Sequence, residues 1–196
     1  MSDKISRTQR IKELVWASEI SGRKIAGDTL EIGGGKGYVA NLLNDLGCRT
    51  IGLDIKLAFV KQMVKMKLPC VQADARQIPF KSSVFDQVTC FEMIEHVDNP
   101  EDVLKEIQRT LADKGFVILT TPLANPINNI IDFLRGEKTH VSVLRLNSLL
   151  QVLGKHFKKI RYRTILALPI PPRLFGRYFW LETRILANHI WVCCEK

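Results

Sequence analysis

The chain has 196 residues, 46% apolar and 25% charged, which suits one soluble globular domain with a substantial core. No uninterrupted apolar run approaches the roughly 20 residues of a membrane-spanning helix. The first residues lack the apolar core of a secretory signal, and five scattered cysteines without a C-x-x-C pair read as reduced thiols, so a cytoplasmic location is expected.

In chain order, residues 7–20 predict a helix with Ile11, Leu14, Val15 and Ile20 near one face. "DTLEIG" reads as a first strand, Tyr38–Leu46 as a helix ended by Gly47, and "RTIGLDI" as a second strand. A helix over about 58–67 leads to a short strand, "PCVQAD". "VFDQVTCFE" is apolar nearly throughout, as a strand buried on both faces should be. "DNPEDVLKEIQRTL" carries helix-start signals: Asp98 or Asn99 as cap, Pro100 in the first turn, then Glu101 and Asp102 at the positive end. "GFVILTTP" is a fifth strand.

This alternation with short connections argues for a parallel, doubly wound sheet. Ligands of such sheets bind beyond the carboxyl ends of the strands. Glu31, Asp54, Asp74, Glu92, Glu95 and His96 all fall at such ends. After Pro122 the pattern loosens, with short helices over 125–135 and 147–154, a strand over 157–166 and a last strand, "HIWVCCEK".

Between the first strand and its helix stand four glycines in five positions. The pattern is E-x-G-x-G-x-G, through Glu31, Gly33, Gly35 and Gly37, with Gly34 between. A dinucleotide fingerprint starting at Gly33 would need glycine or alanine where Tyr38 stands. Asp54 follows Gly35 by 19 residues, a place from which a carboxylate reaches ribose hydroxyls; alone it would serve NAD equally well. "QADARQIPF" and "FDQVTCFEMIEHVDNPEDVLKEIQRTLADKGFVILTTP" complete an ordered set.

Together these stretches resemble the class I S-adenosylmethionine-dependent methyltransferases, strongly over about 29–122 and loosely over 140–196, nearest the ubiquinone/menaquinone-biosynthesis type. The resemblance implies a Rossmann-like, seven-stranded, mostly parallel α/β sheet with helices on both faces and an antiparallel last strand. It implies S-adenosylmethionine as cofactor. Glu31, Gly33, Gly34, Gly35 and Gly37 would hold its methionine end, Asp54 its ribose and Asp74 its adenine amino group, with Ile55, Ala75, Phe91 and Glu92 completing the lining. Lys114-Gly115 departs from the family's usual Gly-Gly turn.

Methyl transfer needs alignment and exclusion of water more than elaborate acid–base chemistry. His96 is the candidate base. Glu92, Glu95 and His96, with His140, could alternatively gather a metal, although Val97 stands where small-RNA methyltransferases carry a second histidine. His156 and His189 are read as structural. The domain is expected to span 1–196: a helical segment (1–27), a cofactor half (28–122) and an acceptor half (123–196). Within the last, 165–188 is read as a lid, a membrane contact or an amphipathic helix packing Phe175, Tyr178, Phe179 and Trp180 on the sheet.

The expected acceptor is a small or lipid-like molecule methylated on oxygen or carbon. A net charge of +9 keeps RNA or protein acceptors and peripheral membrane contact open. A cofactor-binding module without catalysis is the remaining alternative. The oligomeric state is not read from the sequence.

Overall fold

Each apolar run of the first 122 residues becomes a strand of one sheet, in a computed structural model that describes residues 2–124, 142–169, 178–182 and 187–196. The strands are β1 (Gly27–Ile32), β2 (Cys48–Asp54), β3 (Cys70–Gln72), β4 (Phe85–Phe91), β5 (Leu111–Pro122), β6 (Lys159–Pro169), β7 (Tyr178–Glu182) and β8 (His189–Glu195). Their order across the sheet is β3-β2-β1-β4-β5-β8-β6-β7. The first five run parallel, while β8 pairs antiparallel with both β5 and β6. The chain therefore leaves β1 toward β2 on one side and returns to β4 on the other. That reversal is where open α/β sheets present a ligand crevice.

The expected architecture holds, with one more strand than anticipated. Tyr178–Glu182 is an edge strand antiparallel to β6, from Pro169↔Tyr178 to Ile165↔Glu182, and not a helix. Three consecutive aromatics favour extended backbone, and an edge strand needs only one hydrogen-bonded partner. The expected helix over 125–135, His140, Phe175 and most of the lid-like stretch lie outside the described residues.

Five helices flank the sheet: α1 (Ser2–Ser21), α2 (Tyr38–Asp45), α3 (Leu57–Lys65), α4 (Pro100–Thr110) and α5 (Leu146–His156). The start of α4 follows its sequence signals, with Pro100 in the first turn and the Asn99 side chain accepting from the Glu101 N–H. In α1 the buried face differs from the expected one. Leu14, Trp16 and Ala17 pack inward together with Glu13, while Ile11 and Val15 are 41% and 50% exposed. Trp16 decides the rotation: it meets Trp191 of β8 at 6.0 Å between ring centroids, with the Arg163 guanidinium 5.9 Å from its ring.

The core has two layers. One joins Leu30, Ile32, Val88, Val117 and Leu119 to Val103, Leu104 and Ile107 of α4 and Leu149 and Leu153 of α5. The other joins Phe116, Ile118 and Trp191 to Leu14 and Ala17 of α1 and Leu42 and Leu43 of α2. Strand period two sets this division, since alternate side chains of β5 and β8 enter opposite layers. On β8, Cys194 faces the α4–α5 layer and its neighbour Cys193 the α1–α2 layer. Two polar residues of β4 are buried: Thr89 donates through Oγ1 to Glu31, and Gln87 Nε2 donates to Thr29 Oγ1 at 2.7 Å, while Gln87 Oε1 has no hydrogen-bond partner among the described residues.

Candidate functional site

The turn after β1 is built by its neighbours as much as by any ligand. Gly33 and Gly34 both donate N–H to the Leu53 carbonyl at 2.9 Å, and Gly37 donates to Gly34 O at 2.8 Å. Gly35 and Gly37 have φ of 51° and 81°, backbone that residues with a side chain rarely adopt. A Cβ on Gly37 would stand 2.8 Å from Leu68 Cδ1, and one on Gly34 2.9 Å from Met63 Sδ. A Cβ on Gly33 would meet Met93. On Gly35 the nearest atom would be Gly33 O at 3.8 Å, so this glycine alone opens onto free space. Three of the four glycines thus close the turn against α3 and Met93. Only Gly35 offers its backbone outward.

Asp54 at the end of β2 clamps that opening. Its Oδ2 accepts the Gly35 N–H at 2.9 Å and its Oδ1 the Lys56 N–H at 2.8 Å. Each carboxylate oxygen retains a lone pair for a further donor. Ile55 beside it is 59% exposed, an apolar surface at the rim. Across the rim, Ala75 is buried, and Asp74 is held by Arg76, whose Nη2 lies 2.7 Å from Asp74 Oδ2 and keeps that carboxyl below its ordinary range. Arg109 fixes the same loop to α4, donating to the carbonyls of Ile78 and Phe80.

Glu31 does not face outward. It is buried beneath the turn, accepting from Thr89 Oγ1, and burial pushes its carboxyl up to about 8 despite that hydrogen bond. A charged residue that the motifs did not announce lies near it. Arg10 of α1 donates through Nη1 to Glu13 Oε2 at 2.6 Å and to Thr120 Oγ1 at 3.2 Å, with its guanidinium 4.7 Å from the centre of the Phe91 ring. Burial opposes its charge, and Glu13 and Glu92 more than offset that. Its only sequence signal is the 3–4 spacing of Arg10, Glu13, Leu14 and Ala17, which marks a buried face that the more apolar Ile11 and Val15 obscure.

Beyond β4 stand Glu92, Glu95 and His96. Glu92 has a φ of 50°, rare for a residue with a side chain. Burial opposes its charge, but His189, Arg10 and Thr120 together hold its carboxyl down to about 2. Glu95 accepts from Thr121 Oγ1 at 3.1 Å, and burial with the neighbouring Glu92 charge pushes it up to about 8. His96 sits on a 3-10 turn, 44% exposed, its Nε2 4.0 Å from Glu95 Oε1. Among the described residues no three His, Cys, Asp or Glu side chains gather as a metal site would.

Residues 30–119 match the model of the methyltransferase domain family. The match runs from within β1 to within β5. The probable S-adenosylmethionine-dependent methyltransferase of Mycolicibacterium smegmatis is 33% identical over 115 residues, 57% of this chain and 42% of the relative. A ubiquinone biosynthesis O-methyltransferase of Acinetobacter baylyi is 27% identical over 132 residues, 63% of this chain and 56% of the relative. The chain thus spans about half the length of these curated relatives. The solved structure of an S-adenosylmethionine-dependent methyltransferase from Archaeoglobus fulgidus shares the fold with a TM-score of 0.73 at 16% identity, covering 95% of this chain and 93% of that one.

The residues at the ends of β1 and β2 fit S-adenosylmethionine, the cofactor of the methyltransferases that the chain resembles. The outward backbone of Gly35, the two-pronged Asp54 carboxylate and the exposed Ile55 converge where β1 and β2 end.

Proposed function

We propose that this protein is an S-adenosylmethionine-dependent methyltransferase whose acceptor is a small or lipid-like molecule methylated on oxygen or carbon. The observation that carries the cofactor half is the Gly35 backbone opening onto free space beside the clamped Asp54 carboxylate. When bound, the cofactor supplies a methyl group on a positively charged sulfur, already activated for in-line displacement. The protein's share is to hold and orient. Gly35 lets the cofactor's amino-acid end approach the chain, with Glu31 behind the turn, and Asp54 accepts from the ribose hydroxyls. Ile55 and Ala75 flank the adenine, whose amino group Asp74 accepts once Arg76 yields. Phe91 and Glu92 line the methyl end, where Arg10 adds a positive charge suited to the cofactor's carboxylate.

Likeness to the Acinetobacter baylyi ubiquinone biosynthesis O-methyltransferase supports an oxygen acceptor and a lipid-like one. Residues 123–196 are the acceptor half in this reading. No helix among the described residues is long and apolar enough to cross a membrane.

Calorimetric titration with S-adenosylhomocysteine tests the cofactor assignment. A dissociation constant on the order of micromolar is expected, about −8 kcal/mol. Absence of binding would reject it.

A further inference from the structure

Between β2 and β3 the chain makes little headway along the sheet. β2 ends at Asp54, and β3 begins at Cys70 beside Gly52, two residues back along β2. Both ends of the intervening segment are therefore anchored at the carboxyl end of the sheet, and α3 is held there. Its inner face is closed: Met63 is buried with Ala40 and Leu68, and Val60 and Met66 pack against them. The start of α2 abuts the same helix, since a Cβ on Gly37 would meet Leu68 and Met63.

The outer face of α3 carries apolar side chains where a solvated helix would be polar. Leu57 is 48% and Val64 59% exposed. Seven positions apart, they share one face, with Lys61 between them. Residues 55–73 contain four lysines, Lys56, Lys61, Lys65 and Lys67, and no arginine or acid, so this stretch supplies four of the net nine positive charges. All four are exposed. Lys105, Lys155 and Lys159 each pair with a carboxylate, whereas none of these four does among the described residues. A single exposed aliphatic is ordinary; aliphatics and unpaired lysines together on one short helix are not. On α1, Ile11 and Val15 are exposed too, but Glu19 follows one turn after Val15 and the charges there are mixed.

We propose that α3 is a docking surface for an anionic lipid bilayer. Leu57 and Val64 enter the boundary between headgroups and acyl chains, and the lysine ammonium groups stay among the headgroup phosphates. Each lysine near an anionic surface strengthens binding about five-fold. A nucleic acid would engage the lysines and leave both aliphatics in water. A protein partner is the poorer fit as well, because protein interfaces are enriched in arginine, whose planar fork matches a carboxylate, and depleted in lysine. Every cation here is lysine, and headgroup phosphates spread over a surface ask for charge without a fork. The contact goes beyond the proposed reaction and does not depend on it. Docking through α3 sets the carboxyl end of the sheet, with Asp54 and the exposed Ile55, beside the bilayer.

The test floats the whole chain with vesicles of phosphatidylcholine alone or of phosphatidylcholine mixed with phosphatidylglycerol. Wild type should bind the mixed vesicles, bind the neutral ones far less, and lose affinity as salt rises. Lys61→Gln with Lys65→Gln should lower partitioning about 30-fold. Leu57→Ser with Val64→Ser should lower it on the order of 10-fold. Lys24→Gln with Lys158→Gln removes the same charge at exposed positions toward the amino end of the sheet and should leave partitioning unchanged. Urea unfolding checks that each variant is folded, and the comparison of the two lipids needs no variant. S-adenosylhomocysteine binding on the same preparations reports the cofactor assignment separately. No binding to mixed vesicles, equal binding to neutral ones, or an equal loss in the Lys24 and Lys158 variant would overturn the proposal. So would α3 variants that lose affinity for a single-stranded oligoribonucleotide while vesicle binding stays intact.

Discussion

The parallel half of the sheet and its antiparallel margin reach the same site by different routes. In β1, β2 and β4 a strand ends, the chain turns, and the residue at the turn is the one proposed to meet the cofactor; Gly35 and Asp54 are 19 residues apart and meet at 2.9 Å. In β8 the chain arrives from the far side of the sheet, so His189 meets Glu92 from 97 positions further along the sequence. The first arrangement is local and repeats with the βα unit. The second depends on the register of one antiparallel pairing, Pro122↔His189.

The largest effect that would sharpen this contrast is on binding in the parallel half. Asp54→Ala removes a charged acceptor from the ribose and leaves the Gly35 and Lys56 N–H groups without their partner. S-adenosylhomocysteine affinity should fall on the order of 100-fold by calorimetry; unchanged affinity would refute the ribose assignment. The part of the chain beyond Pro122 should respond in stability instead. Leu153 of α5 is fully buried, so Leu153→Ala should cost about 2–5 kcal/mol in urea unfolding, while the cofactor analogue still binds the folded protein. A matching loss of affinity would mean that the two halves are not separable.

Next in size is a pH effect at the junction between them. Glu95 keeps its proton to about 8 when folded but ionises near 4.5 when unfolded. Between those values the folded state holds more protons, so stability falls as pH rises from 4.5 through 8 and levels beyond. Glu95→Gln should flatten that fall, gaining on the order of 1–3 kcal/mol relative to wild type at pH 8 over pH 5. Parallel unfolding curves for the two proteins would show that Glu95 carries no such proton. The smallest effect belongs to α1: Ile11→Ser, on the exposed face, should change stability by no more than about 0.5 kcal/mol. A loss comparable with that of Leu153→Ala would restore Ile11 to the core.

What the sequence made legible follows the same division. The strands through β5, the capped start of α4 and the acids at strand ends could be read because each is a local pattern of period, cap or spacing. The separate duties of the glycines could not, because they depend on Met63, Leu68 and Met93 packing from elsewhere. Arg10 and Glu13 were hidden on a helix where two apolar residues, Ile11 and Val15, face outward, since the Trp16–Trp191 contact sets its rotation and Trp191 lies far along the chain. β7 escaped because an aromatic run beside prolines fits an edge strand or an amphipathic helix equally well until its partner is known.

The adjacent thiols of β8 turn the two-layer core into something that can be timed. Cys193 and Cys194 share one strand, yet each is sealed by a different set of helices, and burial raises both thiols above their ordinary range. A thiol so placed reacts with an alkylating reagent only after its own layer has parted from the sheet. Pulsed alkylation read by mass therefore gives two clocks one residue apart. Equal rates would describe a protein that opens as a single unit, and unequal rates would name the layer that lets go first.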